Sequence, residues 1–147
     1  VDKKWAHAYL KRDFFSILRE RLADKFVLFF ATKNQKPIAA ALNLKGKETL
    51  YGRNWGCSVQ WPMLYFELCF YRAIDYAIEE NLEKVEAGAQ GPHKISRGYL
   101  PSETFSAHWI KHDGFKDAVS KFLDQEQKET EAEMLILEKS RSPYKQS

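Results

Sequence analysis

Short apolar runs in the first third of the chain predict three strands. Residues 26–32, 37–44 and 49–55 are rich in aliphatic, β-branched and aromatic side chains, which suit buried strands. The polar segments 33–36 and 45–47 between these runs are short enough to be hairpin turns. The pattern therefore predicts a three-stranded antiparallel meander.

Helical periodicity precedes and follows this meander. Residues 9–23 place apolar side chains three and four positions apart, which predicts an amphipathic helix with a basic, solvated side. Pro62 suits the first turn of a second helix that runs to about Asn81. The first half of this helix is apolar nearly all round, so we expect it to be packed on several sides. Its predicted inward face contains Met63, Phe66, Phe70, Ile74 and Ile78.

The second half of the chain is predicted to add two more strands and a last helix. The strands are residues 84–88 and 104–110, and Asp113 is the predicted N-cap of a helix that reaches about Lys139. A strand over residues 134–137 is the alternative for the end of this helix. The order of elements favours an α/β fold, with helices packed on a sheet.

The connection between the last two predicted strands, residues 86–108, carries the strongest functional pattern. It contains three of the seven glycines and two of the five prolines, which together permit and stiffen an irregular backbone path. Ile95, Tyr99 and Leu100 are its apolar anchors. A long polar connection in a compact domain is typical of a functional loop or a disordered one. The anchors favour an ordered binding or catalytic loop.

Candidate site residues lie in and beside this loop. His93, Lys94 and Arg97 place three cations within five positions, a pattern that suits a phosphate or carboxylate ligand. A solvated loop is the alternative. His108 and Glu86 are candidate bases for an attacking amine, and a hydrogen-bonded core histidine and a loop-capping carboxylate are the respective alternatives.

Two further elements contribute candidates. Glu67 interrupts an apolar helix, so we expect a buried carboxylate that pairs with Arg53 or Arg97, either to orient that group towards substrate or as a structural ion pair. Tyr51, Arg53 and Trp55 share one strand face by a period of two, which predicts either a groove or ordinary packing.

Composition narrows the class of protein. A chain of 147 residues with 44% hydrophobic residues is a folded globule, and its net charge of +3 does not by itself indicate nucleic acid. Two cysteines make neither a disulfide framework nor a zinc site, which favours a cytoplasmic protein, and we expect Cys57 to be a buried, inert thiol. No apolar run has membrane-spanning length. Because the first residue is Val, we expect the chain to be part of a longer protein.

These residues resemble the FemAB-like, peptidoglycan-biosynthesis branch of the GNAT (acyl-CoA N-acyltransferase) superfamily. The likeness is carried by residues 50–57, 88–101 and 106–110, by Trp61-Pro-Met63 at the start of the second helix, and by the closing residues 142–145. The resemblance implies one GNAT-like domain over residues 1–147, with a mostly antiparallel mixed sheet flanked by helices. It also implies that this domain is the C-terminal half of a longer protein.

The resemblance implies an N-acyltransferase that moves an acyl or aminoacyl group onto an amine, such as that of a peptidoglycan precursor. Acyl-CoA or aminoacyl-tRNA would be the donor, and no metal is implied. The segment 53–62 contains one glycine, and Pro62 lacks an amide donor, so it departs from the usual pyrophosphate-binding turn. The expected catalytic residues are Glu86, His93 and His108, and the expected binding residues are Arg53, Trp55, Glu67, Gln90, Lys94 and Arg97.

Two other hypotheses remain open at this point. The domain could be a binding module for an anionic ligand, such as a peptidoglycan precursor, a tRNA acceptor end or an acidic metabolite. It could also be a structural half that supports a partner domain, through contact with an N-terminal domain or as a homodimer.

Overall fold

The computed structural model describes residues 10–88 and 93–144, and the chain divides into two compact units, residues 1–88 and 89–147. The first unit contains all the described strands. Its elements, in chain order, are α1 (Arg12–Arg21), a 3-10 turn (Ala23–Lys25), β1 (Phe26–Lys33), β2 (Lys36–Lys45), β3 (Thr49–Cys57), α2 (Leu64–Phe66), a π-helical segment (Glu67–Tyr71), α3 (Arg72–Glu79) and β4 (Lys84–Glu86).

The four strands form one mixed sheet with the order β1-β2-β3-β4. The β1–β2 and β2–β3 pairs are antiparallel, and β3 pairs with β4 in parallel. Asn34 and Gln35 have φ of 50° and 61°, the left-handed conformation that a two-residue hairpin turn requires. The predicted meander and the α/β class with a mixed sheet flanked by helices are therefore confirmed.

The core of this unit forms where the helix packs against one face of the sheet. Leu50 on β3 and Phe70 in the π-helical segment are the largest apolar side chains that are fully buried. Ala39 and Ala41 on β2 present small side chains to the buried cluster that contains Leu50. Phe29 of β1 completes the cluster from the edge of the sheet. This packing fixes how the helix lies on the sheet.

The predicted inward face of the helix is partly wrong. The buried residues after Phe70 are Ala73 and Ala77, whereas Ile78 is 70% exposed. Four residues of an α-helix rotate by about 40° more than one full turn. Side chains placed at every fourth position therefore move progressively around the helix and away from the buried face. The helix also begins later than predicted, because Met63 has φ of 63° and precedes the first helical residue.

The second unit contains a 3-10 turn (Ile95–Arg97) and one long helix, α4 (Asp113–Arg141). The predicted strand over residues 104–110 is wrong, since these residues form no regular secondary structure and pair with no described strand. Alternation along this range would place Phe105 and Trp109 on one face of a strand, but they are 90% and 83% exposed. Alternation alone does not make a strand when no neighbouring strand pairs with it.

The long helix confirms the predicted start but not the predicted cap. Its N-cap is His112 rather than Asp113, and the Nδ1 atom of His112 accepts a hydrogen bond from the backbone N–H of Phe115 at 3.2 Å. The helix continues through residues 134–137, so the alternative of a strand there is wrong. Most of its described side chains are exposed.

Replacement of Phe70 tests the core. We expect Phe70→Ala to lower the free energy of unfolding by about 3–5 kcal/mol, because it removes a fully buried ring and leaves a cavity. Phe122→Ala is the matched control, since Phe122 is 63% exposed, and its effect should stay within about 0.5 kcal/mol. Urea denaturation followed by circular dichroism measures both, and similar losses in the two variants would contradict the assigned core.

Candidate functional site

The parallel pair β3–β4 separates shortly after it forms. Only three residue pairs connect the strands, and the last is Tyr51 with Glu86. A Cβ atom added to Gly52 would lie 3.3 Å from the carbonyl oxygen of Glu86, but one added to Gly56 would meet no atom within 4 Å. From Asn54 to Cys57, β3 has no strand partner on this side among the described residues. The exposed carboxylate of Glu86 lies where the strands separate.

A β-bulge lies in the same part of β3. Leu42 pairs with Asn54 and Asn43 pairs with Gly52, so Arg53 is the extra residue. The predicted row of Tyr51, Arg53 and Trp55 on one strand face is therefore wrong, because a one-residue shift moves all following side chains to the other face. Trp55 pairs with Ala41 and belongs to the core face, whereas Tyr51 belongs to the opposite face.

A cavity of about 500 Å³ lies at the end of β3, between that strand and the start of α2. Three of its walls are aromatic rings, and the centroids of Trp55 and Tyr65 are 5.6 Å apart in an edge-to-face arrangement. The ammonium of Lys33 lies 4.6 Å from the centroid of the Trp61 ring at the rim. The lining residues, none of which is acidic, are Trp55, Cys57, Val59, Gln60, Trp61, Pro62, Leu64 and Tyr65.

Of the aromatic walls of this cavity, sequence reasoning identified Trp55 as a binding residue but missed Trp61 and Tyr65, and it misjudged the exposure of Cys57. Cys57 is exposed and lines the cavity, so the expectation of a buried thiol is wrong. Burial raises the pKa of the Tyr65 hydroxyl above its usual value, with a smaller contribution from the neighbouring Cys69. The clustering of tryptophans on both sides of the β3–α2 connection was the signal that could have identified them.

Glu67 lies in a different place from the one predicted. It is exposed rather than buried, and its carboxylate makes no hydrogen bond or ion pair with another described residue of the first unit. The expected burial and the pairing with Arg53 are therefore wrong, and a pairing with Arg97, which belongs to the second unit, stays a prediction. Glu67 instead lines a second cavity, of about 450 Å³, next to β1. The surrounding sequence is apolar, but this side of the helix faces an opening rather than the core.

The basic turn of the second unit is held by its own backbone. Arg97 donates a hydrogen bond from Nη1 to the carbonyl oxygen of His93 at 2.6 Å, and the hydroxyl of Ser96 donates to the same oxygen at 3.1 Å. Partial burial lowers the pKa of the Lys94 ammonium. Ile95 is buried, which confirms it as an anchor. The role of these cations in binding an anion stays a prediction, and Gln90 lies outside the described residues.

The C-terminal end of this unit contacts the same turn. The hydroxyl of Tyr144 donates a hydrogen bond to the carbonyl oxygen of Gly98 at 3.4 Å. Gly98 has φ of 90°, and a Cβ atom there would lie 2.6 Å from that hydroxyl. His108 is exposed, and its Nε2 atom lies 2.9 Å from the hydroxyl oxygen of Ser106. Its predicted place in a strand is wrong, and its role as a base stays a prediction.

The comparison with known families agrees with the pattern of residues in both units. A family model described as FemAB-like, peptidoglycan biosynthesis/recognition, matches residues 1–146. The chain belongs to the FemAB-like family. No curated protein and no solved structure matches it.

Within the described ranges of this FemAB-like chain, no group of three or more His, Cys, Asp and Glu side chains is arranged to bind a metal ion. None of the described helices is both long enough and apolar enough to span a membrane.

The Cys69 thiol provides a test of the packing beneath the aromatic cavity. Burial raises its pKa from 9.0 to about 12. Between these values the unfolded chain loses the proton first, so the free energy of unfolding should fall as pH rises from about 9. We expect Cys69→Ala to remove this part of the pH dependence and Cys57→Ala to retain it, measured by urea denaturation at several pH values. If the free energy of unfolding depended equally on pH in wild type and in Cys69→Ala, the burial of this thiol would be contradicted.

The contact between Tyr144 and Gly98 provides a second test. We expect Gly98→Ala to destabilise the protein by about 1–3 kcal/mol, because the left-handed backbone and the nearby hydroxyl both disfavour a methyl group. Adding Tyr144→Ala should recover only the steric part of this loss. Thermal denaturation of the two single variants and the double variant measures the coupling. Strictly additive losses of stability would show that the methyl group added at position 98 does not contact the Tyr144 side chain.

Proposed function

We propose that this FemAB-like protein is a transferase that moves an acyl or aminoacyl group onto the amine of a peptidoglycan precursor. Membership in the family supports a role in peptidoglycan biosynthesis or recognition. We also propose that the first unit belongs to a GNAT-like fold, since an antiparallel meander, a helix and a parallel strand follow one another in it. The observation that carries the proposal is the separation of β3 from β4 after the Tyr51–Glu86 pair, on a strand whose far end lines the aromatic cavity.

The open side of β3 is suited to an extended ligand that contains amide groups. Backbone N–H and C=O groups of Asn54–Cys57 that point to this side have no strand partner in the described chain. A ligand lying there would form strand-like hydrogen bonds, which give affinity without specifying a side chain. Backbone N–H groups on the same edge are also suitable donors to the oxyanion that develops on an acyl carbonyl under attack.

The aromatic cavity is suited to the end of such a ligand. Trp55 and Tyr65 form its inner wall, and Lys33 places a positive charge at the rim over Trp61. Apolar walls with few polar groups are typical of ligand sites, and the absence of acidic lining residues favours a ligand that is neutral or carries negative charge. An acyl donor with a negatively charged remote part fits this chemistry.

Glu86 is the residue that we assign to proton transfer. The nitrogen of the acceptor amine forms a bond to the acyl carbon, the bond to the donor's leaving group breaks, and the amine loses a proton. The carboxylate of Glu86 is exposed at the point where the two strands separate, on the face of Tyr51 rather than that of Trp55. It can therefore take the proton as a general base from an acceptor amine that approaches from that face. Positioning of the two substrates supplies the rest, since an activated acyl group needs no covalent enzyme intermediate.

A transfer assay tests this function. The full chain is supplied with acetyl-CoA or an aminoacyl-tRNA as donor and a soluble peptidoglycan precursor as acceptor. We expect Glu86→Gln to lower kcat about 10²–10⁴-fold, because the general base is lost. Trp55→Ala should mainly raise KM, because it removes a wall of the cavity.

Glu83→Gln is the matched control, because Glu83 is also exposed and lies before β4 without lining the cavity. It should leave both kinetic constants unchanged. A turnover by Glu86→Gln equal to that of wild type would contradict the assigned base. Binding of the precursor by wild type without any transfer from either donor would favour the non-catalytic binding module.

A further inference from the structure

The first turn of α4 is closed by a histidine side chain. His112 is the N-cap of this helix, and its Nδ1 atom accepts a hydrogen bond from the backbone N–H of Phe115 at 3.2 Å. The N–H groups in the first turn of a helix have no carbonyl partner within that helix, so the imidazole supplies the acceptor that Phe115 needs. The carbonyl oxygen of the same His112 accepts from the backbone N–H of Lys116 at 2.9 Å. One residue therefore holds two consecutive amides at the helix start.

Gly114 allows the imidazole ring to lie against the backbone of this turn. A Cβ atom added to Gly114 would lie 3.4 Å from Cε1 and 3.7 Å from Nδ1 of His112. The ring is thus positioned by close packing as well as by its hydrogen bond. His112 is nevertheless exposed to solvent, so its ring can exchange a proton with water while the rest of the helix stays folded.

The hydrogen bond to Phe115 requires one protonation state of the ring. A neutral imidazole has one donor nitrogen and one acceptor nitrogen, so Nδ1 of His112 accepts only when the proton is on Nε2. In an imidazolium both nitrogens are donors. Protonation therefore replaces the acceptor with a donor that faces the Phe115 donor. It also places a positive charge at the positive end of the helix dipole. Both effects oppose the closed first turn.

The charged groups around His112 do not replace the lost acceptor. Asp113 would attract an imidazolium, but an attraction between exposed charges is weak, and the Phe115 N–H would still face a donor. The basic turn contacts Tyr144, beyond the opposite end of a helix that is about 40 Å long. The charged and titratable groups in the two turns after His112 and in the segment before it are all exposed, and they are Glu103, His108, Lys111, Asp113, Lys116 and Asp117.

Histidine is the residue type in this set that changes charge near neutral pH. Carboxyl groups generally titrate at about pH 4, lysine ammonium groups at about pH 10.4 and imidazole groups at about pH 6.5. His108 is the other histidine of the set, and its Nε2 atom lies 2.9 Å from the hydroxyl oxygen of Ser106, outside the cap. The cap of α4 therefore depends on a group that can gain a proton within the physiological range.

We propose that His112 is a pH-sensitive cap, whose neutral imidazole closes the first turn of α4 and whose protonated imidazole opens it. Residues 99–112 join the helix through this cap, so the charge of one side chain controls how firmly that segment is attached to the helix. The proposal does not depend on the transferase function, because the cap belongs to the second unit, whereas Glu86 and the aromatic cavity belong to the first.

Exchange of backbone amides with water tests the cap on the full chain. NMR measures the exchange of the Phe115 and Lys116 amides at about pH 7.5 and about pH 5.5, on either side of the usual titration of imidazole. Each rate is divided by the intrinsic rate of an unstructured chain at the same pH. We expect the protection of both amides to fall about fivefold at the lower pH, as is typical for the loss of an N-cap. The amide of Lys128, in the middle of the helix, should keep its protection.

Two variants separate the cap from other effects of pH. His112→Asn retains an acceptor that does not titrate, so it should keep both amides protected at either pH. His108→Asn is the matched control, because it removes another exposed histidine of the same unit, and it should retain the pH dependence. A fall in protection that persists in His112→Asn would overturn the proposal. So would unchanged protection in wild type, or nitrogen chemical shifts that place the proton of the neutral ring on Nδ1, and neither of these measurements requires a variant.

Discussion

The packing of one helix against the alanine-lined face of the sheet positions the two cavities of the first unit described above. Leu50 of β3 and Leu68 of the helix are buried in this contact, and Ala39 and Ala41 leave room for them. Burying a large side chain contributes about 1.5–3 kcal/mol, so the centre of the contact fixes the position of the helix. Its first turns then extend past the core, and the two cavities lie beside them.

The bulge at Arg53 decides which side chains can reach the aromatic cavity. Without it, Trp55 would share a face with Tyr51 and point away from the helix. With one extra residue, Trp55 turns to the core face and contacts Tyr65. The same strand then continues past the end of β4, so the re-aimed ring and the open strand edge occur together. Bulges beside functional sites commonly re-aim a side chain in this way.

The fold was predictable where local pattern and pairing agree. The strands of the meander were placed to within a few residues, because apolar runs and short polar turns identify a hairpin from nearby residues alone. Residues 104–110 show the same alternation but form no strand, since strand formation also needs a neighbouring edge that local sequence does not reveal. The inward face of the helix was predicted wrongly for a different reason. A spacing of four residues only approximates the 3.6 residues per turn of an α-helix.

The types of residue at the candidate site were predictable from the sequence, but the way in which the fold arranges them was not. Glu86 and Trp55 were identified from the sequence, yet the strand edge that becomes open after Glu86 depends on where β4 ends. For the basic turn, charge counting could not show that the carbonyl oxygen of His93 accepts from both Arg97 and Ser96. A guanidinium has several donors in a fixed plane, so one bond to its own turn orients the group without using all its donors. The turn thus holds Arg97 in place by a contact between near neighbours, which composition does not reveal.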